Sequence, residues 1–413
     1  MSADRWNLLA TPARRRALFA LLYLSEGAPI GYIWWHLPTR LRAADVPIEQ
    51  ITALTALLVL PWTLKFLWAP LVDTVRYSRW GFRHWIVTAQ TVMGAALIPL
   101  FWLDLHADFG WFSTLLLVHA FAASTQDVAI DALAISTTAP GERGGINGWM
   151  QAGMLLGRSL FGGVALIVDQ WLGAGVVVAG LIVAVWSSLA LVALARETPE
   201  MLARRSAGFM RTLGEAARER TTWAAVAFAL VSGAAFEAAG AVAGPYLIDR
   251  GFDQGAVGSF LALPVVAAMV TGALWGGRLS DRLGRTRVLG AVLIAIAAAT
   301  ALLAAGHGLP RGFAMCTLAL LYLLIGLFTA ASYALFMDHT RRDLGATQFT
   351  SYMAATNACE SWAGFTVGRL IAALGYPPAF LIMAAASLFG LPLLRVLRRP
   401  REEAPAAERV ARA

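Results

Sequence analysis

Lysine is almost missing from this chain: Lys65 stands alone among 413 residues, and arginine supplies the rest of the basic charge. A phosphate loop ends in Gly-Lys-Ser or Gly-Lys-Thr, but Phe66 follows Lys65, which excludes an ATP-driven pump on this chain. Cysteine is scarce as well. Cys316 and Cys359 both fall in apolar runs, too few for a disulfide framework or a metal site, and are expected to be packing residues. Neither His-Glu-x-x-His, Gly-x-Ser-x-Gly nor Cys-x-x-Cys occurs, so the common hydrolase readings lack their residues. No enzyme, cofactor or metal is expected.

Charge of either sign is also low. Only 14% of residues are charged and 58% are hydrophobic, whereas a soluble domain carries about a quarter charged residues. What the chain has instead is a series of apolar runs of about 20 residues, the length a helix needs to cross a hydrocarbon core of roughly 30 Å. Twelve such runs fall near 17–38, 49–71, 84–103, 110–138, 144–168, 172–195, 223–247, 256–278, 288–305, 312–337, 348–372 and 377–397. The arginines Arg14 to Arg16 followed by an apolar run resemble a signal peptide, but Glu26 and Pro29 interrupt the run, so it is expected to be a retained first span. The expected fold is an all-α membrane protein with twelve transmembrane helices.

The net charge of +8 does not form one basic patch with interleaved aromatics, which argues against nucleic acid. It reads as topology. With both termini on one side, 26 of the 33 basic residues lie in loops and tails on that side, while Arg40, Arg42, Arg250 and Arg311 lie opposite and Lys65, Arg158 and Arg369 lie within spans. The positive-inside rule then predicts cytoplasmic termini in an inner membrane.

The longest polar stretch, residues 196–222, divides the chain into an N-terminal half (1–195) and a C-terminal half (223–398), with a tail over 399–413. Elements recur between the halves at a nearly constant offset. Gly153, Gly157 and Arg158 recur as Gly364, Gly368 and Arg369, Glu26 recurs as Glu237, and Asp73 as Asp281. Parallel six-span halves with a solute site at their interface near the bilayer midplane are the major facilitator architecture. The stretch Gly277 to Arg287 (GRLSDRLGRTR) matches that superfamily's cytoplasmic loop signature. Here Gly277 is expected to let helix ends approach, and Asp281, with Arg282, Gly284 and Arg285 behind it, to latch a gate.

Ionisable residues deep in a span face a cavity or one another and mark a solute or proton path. Glu26, Asp127, Asp131, Arg158, Glu237 and Glu360 are such residues. Asp127 and Asp131, four apart, share a helix face. A carboxyl group deprived of water takes up protons more readily, which suits proton coupling. Arg158 stays charged, and either holds an anionic group or pins helices by pairing with Asp127 or Asp131. Lys65, toward the end of the second span, either works in the gate or snorkels to the interface. His36 and His119 are either hydrogen-bonded packing residues or proton relays, and Trp34, Trp35 and Trp62 either decorate interfaces or line a ligand site.

The stretches KFLWAPLVD (65–73), HWIVTAQ (84–90), STQDVAIDA (124–132), ERG (142–144) and GATQF (345–349) resemble the AmpG-type permeases, a family of muropeptide permeases, acetyl-coenzyme A transporters and siderophore permeases. That resemblance places Lys65, Asp73, Gln126, Asp127 and Asp131 on family motif positions. It implies proton-driven uptake of a bulky polar solute such as a muropeptide, by a monomer whose partners are the solute, protons and the lipid bilayer. The form of residues 61–73 is equally similar to the siderophore permeases, so a ferric siderophore stays open as cargo, as does export.

Overall fold

The computed structural model describes residues 7–74, 80–103, 107–138, 143–197, 218–340 and 345–398, without the side chains of Asp73 and Asp281. Twelve long helices run up and down. In the N-terminal half they are α1 (Pro12–Ala43), α2 (Ile48–Leu67), α3 (Phe82–Phe101), α4 (Phe109–Thr137), α5 (from Arg143, with its apolar span Trp149–Leu172) and α6 (Ala174–Ala193). The C-terminal half repeats the pattern with α7 (Arg220–Ala241, extended by Ala243–Asp249), α8 (Gln254–Ser280), α9 (Arg285–Gly308), α10 (Arg311–Asp338), α11 (Gly345–Leu374) and α12 (Tyr376–Val396).

Ten of these helices are long and apolar enough to span a membrane. The two others, α4 and α11, are longer than most, at 29 and 30 residues, but carry Gln126, Asp127 and Asp131, and Asn357 and Glu360. Their polarity marks them as helices that face an interior path.

Within each half the packing is the same: α1 lies along α5 and α2 meets α4, while α7 lies along α11 and α8 along α10. Glycine makes the first pairing tight. A Cβ on Gly27 or Gly31 would collide with the backbone of Met154 or Arg158, and one on Gly153 or Gly157 with that of Ala20 or Leu24, so the helices touch main chain to main chain. Two antiparallel pairs, α2 with α11 and α5 with α8, join the halves and are related to each other by the duplication.

Loops at one end hold the chain termini; the opposite, or far, end holds the turns after Ala43, Leu172, Asp249, Gly308 and Leu374. Hydrogen bonds and ion pairs join the halves from mid-depth to the far end. Ser159 Oγ donates to Ala262 O (2.6 Å), Ser361 Oγ to Ala56 O (2.9 Å) and Asn357 Nδ2 to Trp62 O (3.3 Å). Further out, Arg369 pairs with Glu49 (3.0 Å) and Arg42 with Asp249 (2.6 Å), and Tyr376 donates to the other Asp249 oxygen (2.7 Å). The far end is thus closed, with Gly163 against Ala262 and Gly368 against Thr52 leaving no room for a Cβ.

Three π-helical turns, Tyr32–His36 in α1, Ser159–Val164 in α5 and Leu261–Val265 in α8, lie in this closed region and pack on one another in sequence.

Candidate functional site

The mid-membrane charges gather in two groups. The first lies inside the N-terminal half. Lys65, in a 3-10 turn at the end of α2, forms an ion pair with Asp127 of α4, and the Tyr23 hydroxyl of α1 donates to Asp131. Glu26, one turn from Tyr23, is buried and interacts with both aspartates, and its Oε2 has no hydrogen-bond partner among the described residues. The four-residue spacing of Asp127 and Asp131 puts both on the face of α4 that looks at α1 and α2.

The second group straddles the halves. Arg158 of α5 stacks its guanidinium on the Trp35 ring, 4.5 Å from the centroid, a cation–π contact that orients the charge without neutralising it. Glu237 of α7 and Glu360 of α11 are close enough to act on each other and on Arg158. Trp34 Nε1 of α1 donates to Glu360, so this bond also crosses the interface. Aromatic walls complete the group: Trp34 meets Trp62 edge-on (5.4 Å) and Trp35 meets Tyr322 edge-on (6.3 Å). Asn357, one turn before Glu360, presents its amide beside Trp62.

Several expectations change. Arg158 does not pair with Asp127 or Asp131, because α5 turns its far half toward the C-terminal helices; its acids are Glu237 and Glu360. The cation that offsets the three N-terminal acids is Lys65. It does not snorkel, since its side chain is only 11% exposed and an ion pair with a buried carboxylate outweighs the reach to the interface. Gln126 is fully buried with neither amide atom bonded among the described residues. Gly277 faces open space, so it is not a point of helix approach; its neighbour Gly276 is, pressed on Leu327. Gly284, at φ +90°, makes the turn into α9 that a Cβ would strain. Arg285 ties α9 to the end of α10, donating to Ala334 O (2.9 Å) and pairing with Asp338, while Arg282 is exposed. The side chains of Asp73 and Asp281 lie outside the described residues. His119 bonds Met93 O (2.9 Å) as a packing residue would, and of the cysteines Cys359 is buried and Cys316 exposed.

Tyr23, Asn357 and Tyr322 belong to these groups and were not singled out in the sequence. Tyr23 had a signal, three residues before Glu26 on the same face of α1.

The fold and these interior charges define a solute carrier rather than a channel-less packing domain, and the comparisons agree. The Major Facilitator Superfamily profile matches residues 18–368, and the chain belongs to that superfamily. It is a membrane-embedded secondary transporter, not an enzyme. Among its relatives, the anhydromuropeptide permease of Escherichia coli (strain K12) is 26% identical over 97% of this chain and 83% of its own length. A transporter designated AmpG 4 in Rickettsia conorii is 24% identical over 89% of this chain and 94% of its own. The crystal structure of a D-xylose-proton symporter superposes with a TM-score of 0.75 at 11% identity, covering 94% of this chain and 98% of that one, which shows the shared fold.

Proposed function

We propose that this protein carries an anhydromuropeptide, or a closely similar glycopeptide, inward across the inner membrane in symport with protons. The observation that carries this reading is the pairing of an all-N-terminal acid group with a second polar group at the interface of the halves. Glu26, Asp127 and Asp131 set three carboxyl groups against one cation, Lys65, so a proton is the simplest way to balance the site in at least one state. Beside it, Arg158 offers a charge for a peptide carboxylate, Trp34 and Trp62 offer faces for a sugar ring, and Asn357 and Glu360 offer hydrogen bonds to hydroxyl and amide groups. The whole-length similarity to an anhydromuropeptide permease supports the same solute class. The arginine-rich terminal end is then cytoplasmic and the closed far end faces outward. Asp73 and Asp281, at matching places in the two halves, serve as the latch that closes this end when the carrier turns outward. The protein works as a monomer.

Expression in cells lacking their own permease tests this. Labelled anhydromuropeptide is expected to accumulate above its external concentration and to leak back when a protonophore is added. Accumulation that ignores the protonophore would overturn proton coupling, and accumulation of a ferric siderophore in place of the glycopeptide would overturn the cargo.

A further inference from the structure

A third buried charge group lies at the far end of the N-terminal half, outside both groups above. His36, in the π-helical turn of α1, is fully buried with its ring stacked on Tyr32 (centroids 4.9 Å, 19° between planes). Its Nε2 lies 3.1 Å from Asp169 Oδ2 of α5, and Arg40 Nε lies 3.2 Å from the same oxygen. The fit is incomplete. Neither ring nitrogen makes an aligned hydrogen bond among the described residues, and the Tyr32 hydroxyl is buried without a partner. A histidine that served only packing would have one ring nitrogen locked, as His119 does on Met93 O.

Two spaces border the neighbours of His36. Tyr32 and Arg40 line a cavity of about 160 Å³ inside the half, with Leu100 and Phe112 on its other walls, roomy enough for several water molecules. On the other side of the same residues, Arg40, Asp169 and Gln170 line an open groove of about 550 Å³ between the halves, with Asp253 and Gln254 opposite. Arg40 borders both spaces and Asp169 the groove, while His36 lies behind them and lines neither. π-Helical turns recur at functional positions because the extra residue re-aims side chains.

We propose that His36, with Asp169 and Arg40, is a proton-loading station on the far side of the membrane. A hydronium ion in the groove gives its proton, through the Asp169 carboxyl that lines it, to the neutral ring at Nε2, leaving water and an imidazolium held by Asp169; the reverse transfer returns the proton to water. The charged and titratable groups acting on the ring are Asp169 from α5 and Arg40 and Tyr32 from its own helix; among the described residues no group on α2 or α7, which also pack on this turn, bears on it. Arg40 limits how strongly Asp169 holds the imidazolium, which lets the station release what it takes up. Glu26 lies ten residues back on α1, about 15 Å, too far for one transfer. His36 therefore serves far-side loading and the N-terminal acids the step beside the solute. This rests on the proton-symport reading above.

Two measurements test it. Infrared difference spectra between pH 5 and pH 8 of the protein in lipid, compared between wild type and His36→Gln, are expected to contain the imidazole-to-imidazolium bands of one histidine, shifted in Asp169→Asn. A flat double difference means the ring does not exchange protons with bulk water and overturns the station without any assumption about solute. Should His36→Gln not fold, unchanged histidine bands in the isosteric Asp169→Asn variant overturn it equally. In right-side-out vesicles at fixed membrane potential, lowering the external pH is expected to speed anhydromuropeptide uptake by wild type, and the response is expected to shrink at least tenfold in either variant while counterflow exchange persists. Wild-type uptake indifferent to an imposed proton gradient overturns the symport reading itself; a responsive wild type with variants that match it overturns only the station.

Discussion

The two mid-membrane charge groups differ in what holds them. The Lys65–Asp127 and Tyr23–Asp131 contacts join α1, α2 and α4, all of one half, whereas Trp34–Glu360 and the approach of Arg158 to Glu237 join helices of opposite halves. When the halves rock, the first group moves as a body and the second is pulled apart. On the proposed symport reading, an acid in the first group stores a proton through the cycle with its surroundings unchanged, while the second group senses which way the carrier faces. Separate duties follow from separate attachment.

The largest expected effect breaks the first group. Asp127→Asn removes the carboxylate paired with Lys65, and breaking such a buried pair costs about 3–5 kcal/mol. Uphill accumulation of labelled solute is expected to vanish, and downhill counterflow to survive in whatever protein remains folded. Replacing both partners, Lys65→Met with Asp127→Leu, is expected to recover thermal stability but not accumulation. Recovery of both would reduce the pair to a structural role.

Next come two substitutions that each delete one hydrogen bond to a carboxylate, worth about 1.5–3 kcal/mol. Tyr23→Phe, within one half, is expected to reduce gradient-driven accumulation while leaving the balance of inward and outward states alone. Trp34→Phe, across the interface, is expected to shift that balance outward by tenfold or more, read as faster labelling of a cysteine placed at the far end. Equal effects of both on labelling would erase the distinction between the groups.

A smaller effect is expected at the far-end clasp. Glu49 and Arg369 are half exposed, at 44% and 60%, and such pairs contribute about 0.2–1 kcal/mol. Glu49→Gln should raise far-end labelling no more than about fivefold, and the exchanged pair Glu49→Arg with Arg369→Glu should return it to the wild-type rate. Failure of the exchange would place the closure in the glycine contacts instead. There, Gly368→Ala is expected to slow closure, because its Cβ would meet the Thr52 hydroxyl.

How much of this was legible before folding depends on distance along the chain. The twelve helices follow from run length, and the acids of the first group follow from their depth, since a carboxyl group in a bilayer is seldom idle. Asp127 and Asp131 share a face by spacing alone. The partner of Arg158 was not legible. Spacing along α5 says which residues share its faces, but whether a face meets α4 or α7 depends on packing across the halves. Lys65 stayed open for a related reason: its place at the end of α2 suits snorkelling, and only the 3-10 turn Lys65–Leu67 swings it inward to Asp127. Gly277 shows the limit of motif reading, for the contact belongs to Gly276, one residue earlier on a helix whose neighbours face about 100° apart.

The π-helical turns give the halves a property that regular helices lack. Each holds one residue more than an α-helical turn needs, and each falls next to the segment of its helix that packs on the other half. The added residue rotates everything beyond it by about 100°. α1, α5 and α8 therefore present two differently aimed faces on a single rod, one for each neighbour. Deleting any one residue from Ser159–Val164 would restore a straight phase and leave α5 correctly seated in its own half while its outer portion addressed lipid instead of α8: a carrier with both bundles intact and no far-side door.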